Sequence, residues 1–198
     1  MRPIRHDRRD DGDRAQHAVR IDAATRRIEV LAALGDKVFD LRPAGAGTGA
    51  GWIVGEIADN AARVMHTPGL DVSPTRLPLP IATEYQVAGG HIAMLQPALD
   101  GLTLCELASL KCEPLALPIG EANRFDWLLT PGAVYYRTAD AAALVRHDLA
   151  RRTESWSRPF GPTAAGLSIA AAPDDTSLIV AREAPVAIDL MLAPRLPP

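Results

Sequence analysis

The stretch Val145-Arg146-His147-Asp148-Leu149-Ala150-Arg151-Arg152-Thr153-Glu154 decides the fold, because the chain repeats it. Val19-Arg20-Ile21-Asp22-Ala23-Ala24-Thr25-Arg26-Arg27-Ile28-Glu29 carries the same pattern, as does Leu104-Cys105-Glu106-Leu107-Ala108-Ser109-Leu110-Lys111-Cys112-Glu113. The anchoring acids are Asp22, Glu106 and Asp148. The interval from Asp22 to Glu106 is twice that from Glu106 to Asp148, so one copy is skipped. The period is thus within the roughly 40–45 residues, with several short strands in each unit, that mark propeller blades.

A second phrase keeps the same period. Four apolar strands each follow a turn: Gly51-Trp52-Ile53-Val54, His91-Ile92-Ala93-Met94, Ala133-Val134-Tyr135-Tyr136 and Ser177-Leu178-Ile179-Val180. Their centres, Ile53, Ala93, Tyr135 and Ile179, fall at nearly equal intervals. The turns before them run from Gly45 to Gly51 and through Ala88-Gly89-Gly90, Pro131-Gly132 and Pro173-Asp174-Asp175. Each brings glycine or aspartate where a tight hairpin needs positive φ or a side-chain cap. An earlier strand recurs too, with Val38-Phe39-Asp40-Leu41 matching Arg124-Phe125-Asp126-Trp127. Proline-rich connectors at Leu77-Pro78-Leu79-Pro80 and Leu115-Ala116-Leu117-Pro118 cannot be central strands and mark crossings between units.

These periods predict an all-β chain, a partial β-propeller of about four blades, each a short antiparallel meander of up to four strands. The units fall at about 17–34, 36–80, 83–118, 123–157 and 164–193. A charged, disordered tail is expected over 1–16 and a short tail over 194–198. Asp189 lies close to one further period after Asp148 and continues the series of acids. In the 36–80 unit no acid falls in register, so the pairing of its outer strand stays open. Alanine-rich segments such as Ala139 to Ala143 are too short and too soon interrupted for an α/β alternative.

Composition narrows the function classes. The chain has 198 residues and a net charge of −3, which offers no electrostatic reason for binding nucleic acid or an anionic membrane. No apolar run reaches the ~18 residues of a membrane span. The stretch from Met1 to Arg14 interleaves acids with arginines and lacks the apolar run of a signal peptide. Cys105 and Cys112 flank one hairpin turn symmetrically. A disulfide there is open to an oxidising compartment, but two unpaired thiols are the expectation, and the spacing fits no zinc site.

No catalytic constellation emerges, so no enzyme, cofactor or metal is expected. His6, His17, His66, His91 and His147 are scattered. His91 reads as a satisfied structural histidine, and the His147–Asp148 pair reads as a turn cap rather than an acid–base couple. The run Gly45-Ala46-Gly47-Thr48-Gly49-Ala50-Gly51 fails the dinucleotide fingerprint on spacing and context, since a strand follows it. Asp22, Glu106, Asp148 and Asp189 come one per unit, and turn capping explains them better than calcium. Trp52 and Trp127 read as blade core. Trp156, in a connector, and Phe160 are the candidate partner-binding residues.

The closing stretch Gly166-Leu167-Ser168-Ile169-Ala170-Ala171-Ala172-Pro173-Asp174-Asp175, followed by Ile188-Asp189-Leu190-Met191-Leu192, resembles the last blade of TolB-like propellers. The combination is most similar to the C-terminal sensor half of membrane-anchored, winged-helix transcriptional regulators of proteobacteria. Val145-Arg146-His147-Asp148-Leu149-Ala150 is similar to the Tyr-Asp-Leu-Ala-Thr-Gly turn of that family. Asp175 replaces the glycine of the family's Pro-Asp-Gly turn, and Ala172 replaces a serine. The resemblance implies a non-enzymatic sensor or interaction domain, periplasmic in full-length relatives, without the family's DNA-binding part. The implied partner is a protein or the remaining half of a ring, with a homo-oligomer as one form. Two alternatives stand beside it: the gating propeller of a serine peptidase without its hydrolase domain, and a truncated gene remnant. Catalytic residues in an adjoining coding sequence would favour the first.

Overall fold

The structure, a computed structural model, describes residues 16–22, 24–34, 37–44, 51–58, 61–97, 101–120, 123–140, 142–159, 165–172, 177–183 and 188–194. Alternating apolar and polar residues, broken every few positions by turn formers, make strands and no described helix. Among the described residues, seventeen strands form five antiparallel sheets of two to four strands. No described helix is long and apolar enough to cross a membrane.

The first sheet is the hairpin β1 (Gln16–Ile21) and β2 (Ile28–Leu34). The second is a meander of β3 (Val38–Pro43), β4 (Trp52–Ala58), β5 (Ala61–Thr67) and the two-residue β6 (Thr75–Arg76). The third runs β7 (Glu84–Ala88), β8 (His91–Leu95), β9 (Leu102–Glu106) and β10 (Cys112–Leu115). The fourth runs β11 (Trp127–Leu129), β12 (Ala133–Arg137), β13 (Ala143–Asp148) and β14 (Thr153–Pro159). The fifth comprises β15 (Ala165–Ala171), β16 (Ser177–Glu183) and β17 (Ile188–Pro194).

Strand alternation sends the side chains of a central strand into two different cores. Ile53 of β4 packs with Tyr85, Ile92, Met94 and Cys105 of the third sheet. Ala93 and Leu95 of β8 point the other way and pack with Trp127, Val134, Tyr136 and Val145 of the fourth. Ala133 and Tyr135 of β12 pack with Leu178 and Val180 of β16. The third and fourth sheets are thus each sandwiched between the sheet before and the sheet after in the chain.

The repeated acid phrase is a repeated turn. Asp22 Oδ1 accepts from the backbone N–H groups of Ala24 (2.9 Å) and Thr25 (2.8 Å), and Asp148 Oδ1 accepts from that of Arg151 (2.9 Å). These N–H groups hold both carboxyls below their ordinary range. Glu106 accepts instead from the Ser109 hydroxyl at 2.6 Å. Four residues after each acid the backbone turns left-handed, with φ of 57° at Arg26, 54° at Leu110 and 58° at Arg152. The Glu106 and Asp148 carbonyls accept from the N–H of that residue, at 2.8 Å from Leu110 and 2.9 Å from Arg152. Glycine would adopt this conformation without a steric cost. Arg26→Gly and Arg152→Gly should therefore each stabilise the fold by about 0.5–1 kcal/mol, read as a rise in urea midpoint at constant slope. Losing the exposed Arg152–Glu113 ion pair subtracts little. Leu110 is the exception, because its side chain packs on the core and glycine would remove that contact.

Several expectations are corrected. Cys105 and Cys112 stand directly opposite across β9 and β10 and form a disulfide, not two free thiols. The hairpin turn already brings their Cα atoms to 4.0 Å, so the cross-strand geometry suffices. Asp189 lies inside β17, opposite Arg182, rather than at a turn. The stretch Arg124-Phe125-Asp126 is a turn, and the strand begins only at Trp127. In the second sheet the turn without an acid in register is long and held by the Thr67 hydroxyl, which donates towards the carbonyls of Gly69 (2.5 Å) and Val72 (2.8 Å). That leaves only Thr75 and Arg76 to pair as β6, opposite His66 and Met65. The glycine run 45–50 and the turn at 173–175 lie outside the described residues.

Candidate binding cleft

The first strands of the second and third sheets, with the turn before β11, line a cleft of about 620 Å³. Its walls carry Phe39, Asp40 and Arg42 from β3, Glu84 and Tyr85 from β7, and Phe125. The cleft therefore combines aromatic rings with both signs of charge, a usual composition for recognition sites.

Two side chains fix the geometry of its floor. Gln86 of β7 donates from Nε2 to the Trp127 carbonyl (2.7 Å) and accepts at Oε1 from the Leu129 N–H (2.9 Å), so it joins β7 to β11. Asn123 organises the connector into β11. Its Nδ2 donates to the carbonyls of Pro118 (3.1 Å) and Arg137 (2.5 Å), and its Oδ1 accepts from the Gly120 N–H (2.8 Å). Asp126 and Arg137 form an ion pair beneath this turn, both buried. The turn holds Phe125 outward, 63% exposed, with the Arg124 guanidinium 4.4 Å over its ring. Across the cleft Phe39 is 45% exposed and meets the buried Tyr85 ring edge-on at 6.0 Å.

The acids differ in their surroundings. Asp40 accepts a 2.7 Å hydrogen bond from Arg42 Nε. Glu84 is half-buried, and its Oε2 is buried with no hydrogen-bond partner in the structure. Burial raises its carboxyl to about 7, against the downward pull of Trp127, Arg124 and Arg42. The folded chain thus holds this proton more tightly than the unfolded chain does. Its contribution to stability is greatest below about pH 4.5 and is lost as pH rises to about 7. Glu84→Gln removes that dependence. The variant should be more stable than the parent at pH 8 by about 1 kcal/mol, after allowing for solvent screening, and about equal at pH 5. Thermal melts at the two pH values check this, and an equal shift at both would refute it.

The residues singled out from sequence sit elsewhere. Trp156 is not in a connector. It lies in the edge strand β14, half-buried, with its ring 6.0 Å from that of Tyr135 in the core between the fourth and fifth sheets. Phe160 lies outside the described residues. Trp127 is buried core, and Trp52 is half-buried. His91 opens β8 with Nδ1 buried and without a hydrogen-bond partner, so it is not satisfied as expected. His147 is also no cap. Its Nε2 is buried without a partner, burial lowers its pKa, and Asp148 alone holds the turn. Among the described residues no group of three or more acids, histidines or cysteines is placed to hold a metal.

The cleft aromatics escape the sequence reading although a signal is present. The dipeptides Phe39-Asp40 and Phe125-Asp126 repeat in the sequence, and although the first lies in β3 and the second in the turn before β11, both phenylalanines line the cleft. Neither a protein-family model nor a curated protein matches the chain.

Proposed function

We propose that this chain is a non-enzymatic, propeller-type interaction domain that binds a partner segment at the cleft between its first strands. In this reading the sheets are blades and β3, β7 and β11 are their inner strands. The regulator resemblance supplies the corresponding role, a sensor half whose bound state is passed to another domain. The observation that carries the reading is the pair of exposed rings, Phe39 and Phe125, facing a cleft whose inner acid, Glu84, has an unpartnered oxygen. Exposed aromatics beside a desolvated acid favour a peptide with an apolar residue next to a basic one.

A phage-displayed random peptide library panned on the chain tests this, with Phe39→Ser/Phe125→Ser as the counter-target. Selected peptides should carry the apolar–basic pair and bind the double variant at least about tenfold more weakly. Selected peptides indifferent to the double variant, or none at all, would sink the cleft reading. Turnover of chromogenic ester or peptide substrates would overturn the non-enzymatic one.

A further inference from the structure

The three copies of the acid turn carry different side chains at one cross-strand site. The residue before the acid stands opposite the residue seven positions on: Ile21 opposite Ile28, Cys105 opposite Cys112, and His147 opposite Glu154. The turn that follows closes by itself. In the first copy the Asp22 N–H donates to the Arg27 carbonyl at 2.9 Å, and in the second the Glu106 N–H donates to the Lys111 carbonyl at 3.0 Å. In the third, Asp148 and Thr153 stand in the same register. Two of the three hairpins thus form without a covalent bond, so the Cys105–Cys112 disulfide is not what makes the second one turn. A staple stabilises most where it closes a long loop, and this one spans a loop that hydrogen bonds already close.

The two sulfurs have unlike surroundings. Cys105 has no exposed surface and packs among Ile53, Tyr85, Ile92 and Met94. Cys112 is exposed, on the end strand of the third sheet. A thiolate that opens a disulfide must reach one of its sulfurs, and in the folded chain only Cys112 is within reach. The position also touches the neighbouring sheet, because the next residue, Glu113, pairs with Arg152 in the turn of the fourth.

We propose that Cys112 is a thiol-exchange site, at which an incoming thiolate attacks the Cys112 sulfur and Cys105 departs. The new bond joins the attacking sulfur to Cys112. The electron pair of the broken Cys105–Cys112 bond goes to Cys105, which takes up the proton that the attacking thiol gave up. The thiol is itself the reductant, so the step consumes nothing else. Cys105 then stays in the core as a neutral thiol, which packs as a small apolar group. A monothiol of the glutathione class remains on Cys112 as a mixed disulfide. A dithiol protein releases itself with its second sulfur and leaves both cysteines reduced, so the product identifies which kind acted. The inference depends neither on the cleft nor on the propeller reading.

Mass spectrometry on the full, folded chain provides the test. Excess glutathione, followed by acid quenching and digestion, should leave one glutathione on Cys112 and a free thiol at Cys105, with at least about a tenfold preference over the reverse adduct. In urea, where burial no longer separates the two sulfurs, the preference should vanish. Circular dichroism of the opened chain should stay strand-rich and its melt cooperative, because the hydrogen bonds of the turn remain, while its urea midpoint falls. Two variants separate access from the bond itself. With oxidised glutathione, folded Cys105→Ala should take an adduct at Cys112, and folded Cys112→Ala should take none. A disulfide that resists glutathione until the chain unfolds, an adduct on Cys105 in the folded chain, a preference that survives urea, or loss of the strands on opening would overturn the proposal.

Discussion

Asp126→Ala should cost about 3–5 kcal/mol, the largest loss expected from any single change considered for this chain. Asp126 and Arg137 are an ion pair with both side chains almost wholly buried. Removing the carboxylate leaves a guanidinium in the interior with an ion-pair partner gone, and desolvation of that charge dominates the cost. The backbone compounds the effect. The Arg137 N–H donates to the Asp126 carbonyl at 2.9 Å, so the pair closes the end of the β11–β12 ladder. Urea denaturation measures the loss. Asp126→Ala/Arg137→Met, which removes both charges, should recover more than half of it. A single-variant cost below about 1 kcal/mol would mean that the guanidinium finds water, and the pair would then not be a buried one. The change also reaches the cleft, since this turn presents Arg124 and Phe125. Binding at the cleft should weaken under conditions where the variant is still folded.

Strand order and turn positions are legible in the chain because hairpins obey local chemistry. Gly89 and Gly90 announce a tight turn, and both take positive φ, 56° and 79°, between β7 and β8. Asp22 and Asp148 announce caps because only a short acid reaches the N–H groups two or three positions on. Local chemistry fails where a tertiary partner decides. Asp189 has the right spacing for a turn but stands in a paired strand. Arg124-Phe125-Asp126 has a strand's composition, yet the buried Asn123 network bends it into a turn. The disulfide is intermediate. Symmetry about the turn places the two cysteines opposite each other, but spacing says nothing about their oxidation.

The cleft is harder to read than the fold for a related reason. Its walls come from segments one and two repeat periods apart, so no local window spans it. Trp156 attracts attention because tryptophan is rare here, but a large ring in a paired strand finds a core before it finds a ligand. The residues that stay exposed are Phe39 and Phe125, whose neighbours Asp40 and Asp126 are held in ion pairs. Asp126 fixes its turn and Asp40 holds Arg42 along β3, while the two rings are left to the solvent.

Gly55→Ala tests how tightly the second and third sheets meet, and should cost about 2–3 kcal/mol. Gly55 lies in the central strand β4, two positions after Ile53 and on the same face. A Cβ there would overlap the Tyr85 hydroxyl oxygen and stand 2.9 Å from Phe39 Cζ and 3.0 Å from Tyr85 Cε1. Glycine is needed here for space. Tyr85 is buried and rigid, so it cannot swing aside without opening the core against Ile92 and Met94. Its hydroxyl makes no hydrogen bond of ordinary geometry; burial raises its pKa, and the nearby Asp40 charge adds to that. Tyr85→Phe should therefore be nearly neutral alone. In the Gly55→Ala background it removes the closest clash and should restore about 1 kcal/mol, a coupling that a double-mutant cycle reads directly. The remaining cost belongs to Phe39, which must move outward, so Gly55→Ala should also disturb the cleft wall. If the two changes prove additive, Tyr85 does not abut Gly55, and the packing of the inner strands around the cleft must be redrawn.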